Sequence, residues 1–185
     1  LIDKLYKYNF KGRLLKAYNE GIDDFLGFAC GKLNLEDDLK NSLLWSYRLH
    51  NPRIRLKPEM KKTLESLINL GTKIVILTDG RSITQRLKIK SLGLDFLPNY
   101  ISEEYSSEKP DKKRFLQIQD DFPSKYYVYI ADNPTKDFIA PLEINWICIG
   151  ANWIKNRIHN LNLESMPKIC LDNPSEITDI LLKLK

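Results

Sequence analysis

From about residue 56 onward the chain repeats one unit, an amphipathic helical pattern followed by a short apolar run. That alternation constrains the fold more than any single residue does. Residues 58–70 place Met60, Leu64, Leu67 and Ile68 on one face, with Pro58 at the first helical position and Gly71 at the C-terminal cap. Residues 74–77 then form an unbroken apolar run, the pattern of a parallel strand covered on both faces. Further helical patterns span 82–92, ending at Gly93, and 110–119. Strand patterns fall at 99–102, 126–131, 146–150 and 168–171. Asn133-Pro134 reads as the cap and first position of a short helix, and Asp172 or Asn173 with Pro174 opens the last one. The repetition predicts an α/β fold: a Rossmann-like, mostly parallel sheet with flanking helices and right-handed crossovers.

The first 56 residues follow a different rule. Residues 11–30 space Leu14, Leu15, Tyr18, Ile22, Phe25, Leu26 and Ala29 three and four apart. Residues 36–49 do the same with Leu39, Leu43, Leu44 and Tyr47, and Asn51-Pro52 ends the run. No strand pattern occurs there. The expected division is a helical region over 1–56 and the alternating core over 57–185.

Composition removes several classes of function. The 29 basic residues are interspersed with 24 acidic ones, and the net charge of +5 gathers in no long block, which argues against a nucleic-acid partner. No apolar stretch approaches the roughly 20 residues of a membrane span. Cys30, Cys148 and Cys170 show neither disulfide pairing arithmetic nor metal-ligand spacing, which points to a reducing, cytoplasmic setting.

The polar residues that interrupt the apolar pattern sit where chemistry is done in such folds, outside the carboxyl ends of the strands. Thr78 ends one run, and its hydroxyl with the amides of Asp79 and Gly80 suits phosphate oxygens at a strand-to-helix turn. Lys109 stands before Pro110, at a helix start where the dipole disfavours a cation; a charge-screening role for a phosphoryl group gives that placement a reason. Asp132 follows the strand at 126–131, with Asp137 five positions on. A strand-end acid with a helper suits magnesium, which takes one or two protein carboxylates beside waters and phosphate oxygens. Each residue has an ordinary structural use as well: Thr78 as a turn cap, Lys109 as a surface lysine, Asp137 as a first-turn acid.

Thr78, the run Leu77-Thr78-Asp79-Gly80-Arg81-Ser82, Lys109-Pro110, and Asp132 with Asp137 resemble the second, third and fourth motifs of the haloacid dehalogenase superfamily of phosphohydrolases. Ala131 stands where a Gly is common. The resemblance covers roughly residues 56 to 150 and makes the helical region before it similar to the small cap inserted early in many members. It implies hydrolysis of a small phosphorylated substrate through an aspartyl-phosphate, with magnesium bound. It also implies a nucleophilic Asp at the end of a central first strand, between the strands carrying Thr78 and Asp132. No aspartate here fits that first motif: Asp3 has no strand before it, and Asp23, Asp24, Asp37 and Asp38 lie in helical patterns. An unfilled central position would leave buried N–H and C=O groups unpaired, at on the order of 1–3 kcal/mol each. The chain begins at Leu1. The expectation is therefore an N-terminal segment outside these residues, carrying the strand and its Asp. The alternatives are a non-catalytic binding or regulatory relative and a phosphoacceptor receiver domain. The latter class places its acids before the Thr, and here they follow it.

Overall fold

The computed structural model describes residues 16–17, 20–22, 24–154 and 167–184. The chain divides into two compact units, Leu1–His50 and Asn51–Lys185.

In the first unit, α1 (Phe25–Lys32) is capped by Asp24, whose carboxylate accepts the Gly27 N–H at 2.8 Å and pairs with Lys40 at 3.0 Å. The helix expected over 11–30 is interrupted: residues 16–17 are helical, and a turn at Glu20–Gly21, where Gly21 takes φ +79°, precedes α1. Leu14, Leu15 and Tyr18 lie outside the described residues. The second expected helix forms as α2 (Asp37–Leu49). Its inward face is narrower than the spacing implies: Leu43 is buried, while Leu39 and Tyr47 stay exposed.

In the second unit, α3 (Pro58–Asn69) starts on its proline and ends at Gly71, φ +73°. Its face buries Thr63 and Leu67, while Ile68 points outward. Then follow β1 (Ile76–Thr78), α4 (Ser82–Ser91), β2 (Asn99–Ile101), the one-turn α5 (Ser102–Tyr105) and α6 (Lys113–Asp121). The rest of the core is β3 (Val128–Ala131), α7 (Ile139–Glu143), β4 (Ile147–Ala151), β5 (Ile169–Leu171) and α8 (Glu176–Leu184). Two proline expectations fail. The Lys109–Pro110 peptide is cis and lies in a loop, so α6 begins at Lys113, whose N–H is taken by Asp111 at 2.9 Å. Pro134 lies in a turn held by Asn133 Oδ1, which accepts from both the N–H and the hydroxyl of Thr135.

The strands form two parallel sheets, β1–β2 and β3–β4–β5. Val75, Leu77 and Tyr129 pack with Phe115 and Ile118 of α6, while Ile74, Val128 and Ile130 pack with Leu67 of α3 and Ile177 of α8. Side chains of both sheets therefore share the first cluster, through Leu77 of β1, Tyr100 of β2 and Tyr129 of β3. Among the described residues, β1 pairs only with β2 and β3 only with β4. Every residue of β1 and β3 is half-buried, where the apolar runs predict burial on both faces. Both strands have an edge without a hydrogen-bonded neighbour among the described residues, which leaves them open on that side.

Candidate active site

The end of β1 is held by a closed set of hydrogen bonds. Thr78 donates its hydroxyl to Gln85 Oε1 at 3.2 Å, and Gln85 Nε2 donates back to the Asp79 carbonyl at 3.0 Å. Gly80 adopts φ +132°, a backbone conformation that favours glycine, and a Cβ there would push the Gln85 amide, 2.6 Å away, out of its hydrogen bonds. The Gly80 N–H, a phosphate donor in the sequence reading, donates to Ser102 Oγ at 2.9 Å. The turn is thus tied to α4 through Gln85 and to α5 through Ser102.

Asp79 contributes its side chain as well as its amide. Its Oδ1 accepts from Arg114 Nη2 at 2.5 Å and from the Lys109 N–H at 3.4 Å; its Oδ2 pairs with Lys136 Nζ at 3.0 Å. Burial pushes the Asp79 carboxyl upward, but hydrogen bonds from Arg114 and Lys136 outweigh it and hold the group below the usual carboxylate value. Arg114 is fully buried, and its Nη1 also donates to the carbonyls of Thr78 at 2.9 Å and Tyr100 at 3.1 Å. One guanidinium thereby clamps the ends of β1 and β2.

Lys109 points its ammonium at Asp137 Oδ1, 2.6 Å away, with both side chains at most one-tenth exposed. It also donates to Tyr129 Oη at 3.2 Å. Burial, then the Asp137 and Asp79 charges, push the Tyr129 phenol upward, so it stays protonated. The other Asp137 oxygen accepts the Asn133 N–H at 3.1 Å. Asp137 is thus the counter-ion of Lys109 and the closure of the β3-end turn. Asp132, half-buried after β3, carries no such ties among the described residues.

The structure joins Asp79, Lys109 and Asp137 in one polar network, with Thr78 and Gly80 in the same turn as Asp79. Asp132 stays apart from that network. Among the described residues no group of three His, Cys, Asp or Glu side chains stands ready to hold a metal. The donors present still suit magnesium, which takes few protein carboxylates; of the two candidates Asp132 is the uncommitted one. Sequence reasoning missed Arg114, Lys136, Gln85 and Ser102. Arg114 alone left a signal: it shares a helical face with Ile118, four residues on, and so belongs to the buried side of α6.

Comparison with known proteins bears on what this arrangement does. The family described as haloacid dehalogenase-like hydrolase matches residues 11–151. A glyceraldehyde 3-phosphate phosphatase of Methanocaldococcus jannaschii is 26% identical over 175 residues, covering 91% of this chain and 74% of that protein. A phosphatase of the same description from Methanopyrus kandleri is 27% identical over 132 residues, 69% of this chain and 57% of that protein. Among solved structures, a Thermotoga maritima protein assigned as a candidate beta-phosphoglucomutase superposes with a TM-score of 0.74 at 16% identity, over 100% of this chain and 88% of that one. The candidate HAD-hydrolase YfnB of Bacillus subtilis, solved bound to magnesium, gives 0.61 at 20% identity, over 97% and 82%. These structural likenesses show a shared fold.

Proposed function

The chain belongs to the haloacid dehalogenase-like hydrolases, and on that footing we propose that it is a magnesium-dependent phosphatase acting on a small phosphorylated metabolite. The observation that carries the reading is the buried Lys109–Asp137 pair, joined to the Thr78–Gly80 turn through the Asp79 carboxylate. A buried cation at the mouth of two parallel strand ends is a place for phosphoryl charge. The two archaeal phosphatases support a triose phosphate as the first substrate to try.

In this reading a carboxylate oxygen attacks phosphorus, the ester P–O bond breaks, and the alcohol leaves. Water then cleaves the aspartyl-phosphate to free phosphate. Thr78 and the Asp79 amide orient the phosphoryl oxygens, and Lys109 neutralises charge on them and on the attacking carboxylate. Asp132, helped by Asp137, would hold the magnesium, which when bound draws off negative charge as the P–O bonds exchange. The described aspartates before β1 serve helices: Asp24 caps α1, and Asp37 and Asp38 open α2. The nucleophile is assigned to an aspartate outside these 185 residues, on a strand that pairs between the open edges of β1 and β3. Residues 1–56 are its helical cap region.

The test is phosphate release by the full-length protein from glyceraldehyde 3-phosphate and from an aryl phosphate, with and without magnesium. Lys109→Ala and Asp132→Ala should each lower kcat by about 10²–10³, and chelation should abolish turnover. Undiminished turnover in both variants would sink the assignment.

A further inference from the structure

The charges around Asp79 do not balance. Asp79 is a single carboxylate shared by two cations, Arg114 and Lys136, whereas Lys109 and Asp137 form a one-to-one pair. Arg114 is fully buried and fixed by two carbonyls, so it is the permanent partner. The surplus cation is Lys136, and its side chain is the exposed one, at 42%.

Its placement is built. Lys136 follows the turn that Asn133 closes on Thr135 and that Asp137 closes on the Asn133 N–H. From this β3-end turn its ammonium crosses to the end of β1, one ion pair from the residue whose amide faces the phosphoryl group in the reading above. Asp79 aims the ammonium and Arg114 fixes Asp79. An exposed, directed surplus positive charge between two strand ends favours an anion there.

We propose that Lys136 is a second substrate-binding cation, which contacts the phosphoryl oxygens beside Lys109, with Asp79 and Arg114 as the positioning residues that aim it. This rests on the phosphatase reading and adds a residue to its binding site. The ligand class is a phosphate monoester dianion, whose extra oxygen charge gives two lysines separate partners.

Calorimetric titration of the full-length protein with inorganic phosphate, in the presence of magnesium, tests the assignment. Lys136→Gln should raise the phosphate Kd about tenfold, and Lys136→Arg should stay within about threefold of the parent. The KM for glyceraldehyde 3-phosphate should rise in parallel, with kcat within about threefold. Because the side chain is well exposed, the unfolding midpoint of Lys136→Gln should hardly move. A purely structural lysine would reverse that pattern. Unchanged phosphate binding and KM in Lys136→Gln, from a parent that binds and hydrolyses, would overturn this inference alone. A parent that neither binds phosphate nor releases it would overturn the functional reading with it.

Discussion

β4 and β3 lie side by side in the same sheet, and they differ in one respect that governs everything around them. β4 pairs on both edges, with β3 and β5, and four of its five residues are buried. β3 pairs on one edge, as β1 does in the other sheet, and all residues of both are half-buried. The apolar content of the three runs is similar, so composition does not explain the contrast. A second hydrogen-bonded neighbour accompanies the burial of β4, whereas β2, which has only one, is buried at Tyr100 by its packing on Phe115 and Ile118 of α6. The candidate site stands at the ends of β1 and β3, two of the four strands that pair on one edge among the described residues. Side chains there supply the fixing that pairing supplies to β4.

The largest consequence concerns Arg114. It donates to the carbonyls of Thr78 and Tyr100 and pairs with Asp79, doing for β1 what β5 does for β4. Arg114→Met keeps most of the volume and removes the clamp. Urea unfolding should show a loss of about 3–5 kcal/mol, the cost of breaking a buried pair from one side. A loss below about 1 kcal/mol would mean that the end of β1 holds without the clamp.

The next effect compares two isoleucines in one apolar cluster. Ile149, on β4, is fully buried, and Ile130, on β3, is half-buried, and both face Ile177 and Leu67. Ile149→Ala should cost about 2–5 kcal/mol, and Ile130→Ala about half as much, because solvent already reaches part of the site. Equal costs would show that the open edge of β3 is closed in solution.

Much of this was legible in the sequence where punctuation is strong. Pro58, Gly71 and Gly93 bound α3 and α4 because proline fits a first helical turn and glycine accepts the positive φ that ends one. Thr78 and Asp132 were visible because polar residues interrupt apolar runs at strand ends, and Lys109 because a cation stood before Pro110 at an expected helix start. Edge pairing was not legible, since periodicity reports which face of a strand is apolar and says nothing of its neighbours. The roles of Arg114 and Lys136 were hidden for a related reason. Arg114 follows Lys112 and Lys113 and Lys136 sits in a turn pattern, and what gives each its role is a carboxylate 35 and 57 positions away. That Asp137 also carries the Lys109 ammonium was not legible, because spacing cannot show an ion pair formed with a residue 28 positions earlier in the chain.

The smallest effect isolates the charge at the end of β1. Asp79 is held below the ordinary carboxylate value, because Arg114 and Lys136 outweigh the burial that opposes them. A carboxyl that is more acidic folded than unfolded stabilises the fold fully above its unfolded value, near 3.9. That stabilisation is lost as pH falls through the lower folded value. Asp79→Asn cannot titrate, so the stability gap between parent and variant should stay level from pH 7 to about pH 5 and close below about pH 4. Asp24, Asp111 and Asp121 are also lowered, so the parent alone will show a larger acid loss; taking the difference against Asp79→Asn cancels them. A gap that stays constant down to pH 3 would show that Asp79 gains nothing from being ionised between Arg114 and Lys136. The end of β1 would then be held by its hydrogen bonds to Arg114, Gln85 and Ser102, and its contrast with β4 would be one of hydrogen bonding without charge.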